Sequence, residues 1–98
     1  MSYQKLLQED RRLVLLRLLM ESDHYSANEH LLRAALDRFG HNVGRDLLRS
    51  EFAWLKEQGL VTIHDAADVQ VVKLTGRGHD VADGRSVVPG VKRPEPGE

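Results

Sequence analysis

Cationic side chains recur along the segment from Val43 to Ile63 at spacings that could bind an anion. At about 100° per residue, Arg45, Arg49 and Lys56 fall on one side of a helix. A guanidinium can donate two parallel hydrogen bonds to the edge of a guanine, and all three residues can neutralise phosphates. Gly44 would let the start of the helix, with its free N–H groups, approach a phosphate closely. These residues predict contact with double-stranded DNA.

The same segment carries the pattern of a helix buried along one side. Its apolar residues recur every three or four positions, at Leu48, Phe52 and Leu55. The spacing predicts a helix from about Gly44 to Gln58, ended by Gly59, and then the β-branched, strand-like run Leu60 to Ile63. A helix that passes directly into a hairpin is typical of a winged helix-turn-helix, in which the third helix precedes the β-hairpin called the wing.

Two helices are predicted upstream. The first runs from about Tyr3 to Ser22 and is apolar nearly all round, which indicates that more than one of its sides is covered. The second starts near Ala27, where Ser26-x-x-Glu29 has the spacing of a capping box, and it ends at Gly40. Its predicted apolar face consists of Leu31, Leu32, Ala35, Leu36 and Phe39.

The apolar surplus of the first helix predicts a homodimer. One side of this helix can meet the core of a small domain, so the other side could meet a second copy of the chain. The predicted interface residues are Leu7, Val14, Leu15 and Leu18. The alternative is that Leu15 or Leu18 is a singly exposed leucine, which is common on protein surfaces.

Downstream of the third helix, the composition predicts a hairpin and a short last helix. The strands are Leu60 to His64 and Val69 to Leu74, joined by Asp65 to Asp68. Val69, Val71 and Leu74 are expected to alternate against Val61 and Ile63 across the hairpin. The predicted fold is therefore α+β and mainly helical, a winged helix-turn-helix with three helices, a hairpin wing and a short C-terminal helix over about Arg77 to Gly84.

The predicted organisation is a winged-helix domain over residues 1–84 and an extended tail over residues 85–98. The tail contains Pro89, Pro94 and Pro96, which disfavour regular structure. Its valines indicate that the first part packs on a surface. The Lys92-Arg93 pair could contact a phosphate or be solvated.

Further cations could add phosphate contacts without reading sequence. Lys73 and Arg77 lie near the predicted wing, while Arg33 and Arg38 on the second helix are weaker candidates. Three acidic residues share the third helix, namely Asp46, Glu51 and Glu57. They could order the arginines through near-neighbour pairs, or repel phosphates and make this face a protein-binding one.

Composition limits the possible classes of protein. The chain has 98 residues, enough for one domain, and no cysteine, which excludes disulfides and cysteine zinc sites. The apolar run Leu13 to Met20 is too short to span a bilayer, and no signal peptide is visible, so we expect a cytoplasmic protein without a membrane partner. The net charge of −1 is unusual for a nucleic-acid binder. A DNA site must therefore depend on local charge.

No enzymatic or cofactor site is predicted. The five histidines, His24, His30, His41, His64 and His79, lack metal-ligand spacing. Thr75-Gly76-Arg77-Gly78 lacks the lysine-serine pair of a phosphate-binding loop. Trp54 could stack on a base, but a tryptophan between apolar helix residues more often belongs to the core. We expect no catalytic residue, metal or cofactor.

Four motifs in the order seen here resemble a small protein family of Mu-like bacteriophages and prophages. They are the run Glu9 to Leu19, the junction Trp54-Leu55-x-x-x-Gly59-Leu60-Val61, Leu74-Thr75-x-x-Gly78 and the segment Val88 to Pro94. The family is similar to winged-helix transcriptional regulators, including the arsenic-repressor superfamily. The resemblance implies a winged-helix fold and DNA binding. Metal-sensing members of that superfamily use cysteines, which are absent here, so a thiolate metal sensor is not expected.

Two functional hypotheses remain. The first is a dimeric winged-helix protein that binds double-stranded DNA, sequence-specifically or generally, as a phage transcriptional regulator. The second is a winged-helix adaptor whose third helix binds another protein in phage assembly or host modification. The arginines and the resemblance favour the first hypothesis, and the near-neutral charge favours the second.

Overall fold

The computed structural model of the protein describes residues 2–97. The first residue of the predicted 1–84 domain and the last residue of the predicted 85–98 tail lie outside this range. The elements in chain order are α1 (Tyr3–Glu21), a 3-10 turn (Asp23–Tyr25), β1 (Ser26–Asn28), α2 (Glu29–Arg38), α3 (Arg45–Glu57), β2 (Val61–Ala66), β3 (Val69–Leu74) and α4 (Gly76–Ala82). About half of the chain is helical, which confirms the α+β class.

The three strands form one antiparallel sheet in the order β1-β3-β2. In the hairpin, Val61 pairs with Leu74 and Ile63 pairs with Val72. Leu74 therefore faces Val61 as predicted, but the prediction that Val69 and Val71 face Val61 and Ile63 was wrong. Their partners are Ala66 and His64. Because side chains alternate along a strand, Val72 and Leu74 are the residues of β3 that enter the core.

The hairpin turn is shorter than predicted. Only Ala67 and Asp68 separate the strands, and their φ angles are 50° and 65°. Two successive residues with positive φ are typical of a type I′ turn, which matches the twist of the flanking strands. The predicted four-residue connection was wrong because Asp65 and Ala66 continue the ladder, opposite Gln70 and Val69.

The start of α2 also differs from the prediction. Residues 26–28 form β1, which pairs with residues 71–73 of β3, so Ala27 lies in a strand. The N-cap is Asn28, whose side chain accepts a hydrogen bond of 2.9 Å from the Leu31 N–H. The predicted capping box was wrong, because residues 26–28 pair with the edge of β3 and the Glu29 side chain makes other contacts.

The core lies between α1, α2, α3, the inner face of the sheet and α4. The prediction that α3 buries one side is confirmed, because its apolar stripe is inaccessible to solvent, namely Leu48, Phe52 and Leu55. Of the predicted apolar face of α2, Leu32 and Leu36 are buried, while Leu31 and Phe39 are mostly exposed.

Helix α1 is less exposed than the predicted dimer interface requires. Leu15 is completely buried in the chain's own core and has no surface for a second copy, which corrects its assignment to that interface. Leu7, Val14 and Leu18 keep partial exposure. Any contact with another molecule on this side of α1 would therefore use these three residues without Leu15.

The tail contains no helix or strand within residues 85–97, as predicted, and its first part packs on the domain. Val88 and Val91 belong to the core, and the Lys92 N–H donates a hydrogen bond of 3.1 Å to the Glu9 carbonyl. The tail therefore crosses α1 and closes one side of the core.

Candidate functional site

Glu29 organises the start of α3 although it lies on α2. Its side chain is only 1% exposed. Its carboxylate accepts hydrogen bonds from Arg45 Nε at 2.9 Å and from Arg49 Nε and Nη2 at 3.1 and 2.7 Å. The Gln70 backbone N–H donates to the same carboxylate. One buried acid thus joins α2, α3 and β3.

The two arginines also hold the hairpin turn. Arg45 Nη2 lies 2.6 Å and Arg49 Nη2 lies 2.7 Å from the Asp68 carbonyl oxygen. This carbonyl is available because the turn is tight and Asp68 adopts a positive φ. We call Glu29, Arg45, Arg49, the Asp68 carbonyl and the Gln70 N–H the Glu29 cluster.

The cluster strongly favours the charged form of its members. The hydrogen bond from Arg49 is the main reason that the pKa of Glu29 is lowered from 4.5 to about 2, and it outweighs the opposing effect of burial. The pKa of Arg49 is raised, chiefly by the same hydrogen bond, with additional attraction from Asp65 and Asp68. Glu29 and Arg49 therefore remain ionised at neutral pH.

Arg45 and Arg49 consequently lie on the flank of α3 that faces the hairpin. The sequence analysis placed them on the side that would meet a major groove. The outermost ridge of α3 instead lies opposite the buried stripe and consists of Asp46, Ser50, Ala53 and Glu57, all exposed. This ridge contains two carboxylates and no cation.

The outer ridge and the hairpin tip form one candidate surface. We define the α3–hairpin surface as Asp46, Ser50, Ala53 and Glu57 together with residues 65–68. All of these residues are exposed. Together with the Glu29 cluster and Lys56, this surface contains three cations and five anions. The cations are Arg45, Arg49 and Lys56, and the anions are Glu29, Asp46, Glu57, Asp65 and Asp68. The local charge is therefore negative.

The other predicted DNA-binding residues do not converge. Gly44 is the N-cap of α3, and a Cβ added there would meet no atom within 4 Å. Lys56 is exposed on α3, and Lys73 is exposed on β3, opposite Thr62. Arg77 Nε donates to the Gln58 carbonyl at 2.9 Å, which ties the start of α4 to the end of α3.

Glu29 and Asp68 are members of the site that the sequence did not predict. Glu29 was assigned to a capping box, and nothing in the local spacing links it to arginines 16 and 20 positions later. Asp68 contributes a backbone carbonyl, which no side-chain pattern can indicate. Had the sequence predicted that Glu29 is buried, cationic partners would have been expected, because a buried carboxylate needs them.

A second buried acid lies on the opposite flank of α3. Glu51 accepts hydrogen bonds from Arg11 Nη1 at 2.9 Å and Arg12 Nε at 3.0 Å. The Arg12 guanidinium stacks 3.8 Å from the centre of the half-buried Trp54 ring and donates to the Gly90 carbonyl. We call Glu51, Arg11 and Arg12 the Glu51 cluster. It joins α1, α3 and the tail.

Within residues 2–97, no three histidine or acidic side chains are grouped as metal ligands would be. No helix in that range combines the length and apolar character needed to cross a bilayer.

Comparison with known proteins identifies two relatives. The chain is 54% identical over 91 residues to the uncharacterized protein gp26 of Escherichia phage Mu, covering 93% of this chain and 94% of the phage protein. It is 46% identical over 72 residues to an uncharacterized protein of Haemophilus influenzae, covering 74% and 70% of the two chains. No family model matches, and no solved structure matches. The predicted resemblance to Mu-like phage proteins is thereby confirmed, and the chain belongs to the Mu-like phage and prophage family that includes gp26 of phage Mu.

Proposed function

We propose that the protein is a winged-helix adaptor that binds another protein through the α3–hairpin surface. The order helix, strand, helix, helix, strand, strand and the sheet order β1-β3-β2 support a winged helix, with α3 at the position of a recognition helix and β2-β3 as the wing.

One observation favours a protein partner over DNA. Both arginines at the start of α3 are bonded to Glu29 and to the Asp68 carbonyl, and the ridge that points outward carries Asp46 and Glu57. A winged helix that reads DNA needs cations where its recognition helix and wing meet phosphates. Here the wing tip presents Asp65 and Asp68, which would repel a phosphate backbone.

The chemistry of the surface indicates the kind of partner. Small exposed residues separate the carboxylates within each element. Ser50 and Ala53 lie between Asp46 and Glu57 on α3, and Ala66 and Ala67 lie between Asp65 and Asp68 on the hairpin. Small side chains allow close approach, and carboxylates on either side attract lysines and arginines. The expected partner is therefore a phage or host protein that presents a basic segment.

The second candidate is a dimeric DNA-binding regulator. It is favoured by the same winged-helix order and by the remaining exposure of the arginine side chains, 47% for Arg45 and 32% for Arg49. A dimer could form through the partly exposed Leu7, Val14 and Leu18 of α1. Its two third helices would then meet half-sites about one helical turn apart.

Site-specific photocrosslinking separates the two candidates. A variant with a photoreactive amino acid in place of Ala53 is expressed in bacteria that carry the encoding phage or prophage. A variant with the same amino acid in place of the exposed Arg85 is the control. The adaptor predicts a discrete crosslinked product at position 53 alone, resistant to nuclease and abolished by Asp46→Lys with Asp65→Lys. A nuclease-sensitive product supports the DNA-binding candidate, and no product specific to position 53 overturns the adaptor proposal.

A further inference from the structure

We infer that Glu29 is a specificity-determining residue that prevents Arg45 and Arg49 from binding nucleic acid and other polyanions. This inference deepens the proposed function and rests on it, because it assigns to one residue the discrimination between a protein partner and DNA. Glu29 acts through the two arginines and is therefore a positioning residue.

The geometry shows how the arginines are occupied. Arg49 uses Nε and Nη2, one complete fork of its guanidinium, to bind the two oxygens of Glu29. The same kind of fork would bind a guanine edge or a phosphate. Arg45 directs Nε to Glu29 and Nη2 to the Asp68 carbonyl. An anion that bound the same Nε–Nη2 edge of either guanidinium would have to replace these acceptors.

Replacing Glu29 is unfavourable because the carboxylate cannot become hydrated. Its side chain is 1% exposed, so a phosphate that removed the arginines would leave a buried, uncompensated charge. An exposed carboxylate would exchange its partner for water with little cost. Burial of the acid, rather than its charge alone, therefore keeps the arginines occupied.

The other nearby carboxylates have a smaller effect. Asp65 and Asp68 are exposed, and they attract Arg49 without a direct side-chain hydrogen bond among the described contacts. Salt screens interactions between exposed charges effectively. Glu29, which is buried and in contact, is the residue whose removal should release the arginines.

The test is a salt titration with a mixed-sequence duplex of about 20 base pairs, and with heparin as a second polyanion. Glu29→Gln retains the shape of the side chain and removes its charge. Glu21→Gln is the matched control, since it makes the same charge change at an exposed glutamate at the end of α1, outside the α3–hairpin surface. Far-UV circular dichroism verifies that each variant is folded.

Glu29→Gln is expected to bind the duplex about tenfold more tightly than the wild type at low salt. The slope of log affinity against log salt should become steeper by about 1 to 2, because two arginines become available to phosphates. Glu21→Gln should change affinity by less than about twofold, as expected of one screened surface charge. Adding Arg45→Ala and Arg49→Ala to Glu29→Gln should restore wild-type behaviour.

Arg45→Gln provides a second arm that does not require Glu29 to be changed, since Glu29 remains paired with Arg49. If Arg45 is already occupied, this variant leaves the weak duplex affinity of the wild type unchanged, whereas a several-fold loss overturns the inference. In the same series, Ser50→Arg places an unoccupied arginine on the outer ridge of α3 and should raise the affinity.

The outcomes separate this inference from the proposed function. Tight duplex binding by the wild type that depends on Arg45 overturns both. A wild type that does not bind, together with a folded Glu29→Gln that also does not bind, overturns the inference and leaves the adaptor proposal standing.

Discussion

Two glutamates among residues 2–97 are almost completely buried, and each is held by two arginines, yet the two clusters differ in how open they are. Arg11 and Arg12 beside Glu51 have side-chain exposures of 11% and 9%. Arg45 and Arg49 beside Glu29 have exposures of 47% and 32%. The acid is almost equally buried in both clusters, so the difference in openness comes from the arginines.

The difference indicates what each cluster does. In the Glu51 cluster every charge is surrounded by α1, α3 and the tail, so its contacts stabilise the core and are inaccessible to a partner. In the Glu29 cluster the acid is buried and the cations reach the surface. An open cluster of this kind can set the chemistry of a binding surface, whereas the closed one can only support the fold.

The largest expected effect is the loss of the Glu51 carboxylate. Glu51→Ala leaves two nearly buried guanidinium groups without their acceptor, which should lower the free energy of unfolding by about 3 to 5 kcal/mol. Chemical denaturation followed by circular dichroism measures this change. Glu57→Ala on the exposed side of α3 is the control and should change stability by less than about 0.5 kcal/mol. Similar losses for the two variants would refute the closed character of the Glu51 cluster.

Gly90→Ala should weaken the same side of the molecule. Gly90 has a φ of 102°, and a Cβ there would lie 2.7 Å from the Trp54 ring that Arg12 covers. The strained backbone and the clash together should cost about 2 to 4 kcal/mol in thermal or chemical unfolding. Gly97 also has a positive φ, but an added Cβ there would meet open space. Gly97→Ala should therefore lower the free energy of unfolding by about 1 kcal/mol or less. Equal losses of stability for the two variants would show that the tail does not pack closely against Trp54.

Glu29→Gln should destabilise the protein less than Glu51→Ala does. Water can rehydrate the half-exposed arginines, and the glutamine oxygen can still accept one hydrogen bond, so we expect a loss of about 1 to 3 kcal/mol. Denaturant midpoints of the two variants, measured in one buffer, compare the clusters directly. A loss as large as that of Glu51→Ala would contradict the open character assigned to the Glu29 cluster.

Acid should remove the contribution of Glu29 over a defined pH range. Its pKa is about 2 in the folded protein and ordinarily 4.5, so the folded state prefers the ionised form. The resulting stabilisation is fully present above about pH 5 and decreases as the pH falls from 4.5 towards 2. The stability difference between wild type and Glu29→Gln should therefore shrink over this range. A difference that stays constant down to pH 2.5 would disprove the lowered pKa.

The smallest expected effect is that of Asp68→Asn. The arginines bind the backbone carbonyl of Asp68, and asparagine tolerates a positive φ as well as aspartate does. Stability should change by less than about 0.5 kcal/mol in the same denaturation assay. A larger loss would mean that the Asp68 carboxylate, rather than its carbonyl, holds the hairpin turn.

Much of the architecture could be predicted from local patterns. The buried stripe of α3 follows from the spacing of Leu48, Phe52 and Leu55, and the hairpin from two β-branched runs after Gly59. The short strand β1 could not be predicted, because its three residues are stabilised by pairing with β3 and because Ser26-x-x-Glu29 imitates a capping box. Short strands depend on distant partners more than on their own composition.

The candidate site was less predictable than the fold. Helical spacing correctly places Arg45 and Arg49 together, but it cannot tell a flank that contacts a hairpin from a ridge that faces solvent. That distinction depends on Glu29 and Asp68, which are brought to α3 by the sheet register and a two-residue turn. Both features are determined by tertiary structure.

The crossing of α1 by the tail has a kinetic consequence. The Lys92 ammonium and the Asp10 carboxylate, 82 positions apart in the chain, lie 3.5 Å from each other. Contacts between such distant segments form late, because a long loop must close before they contribute. Until Val88 and Val91 pack on the domain, one side of the apolar core remains uncovered. Because this distant contact forms late, we expect the protein to refold more slowly than a helical bundle of equal length.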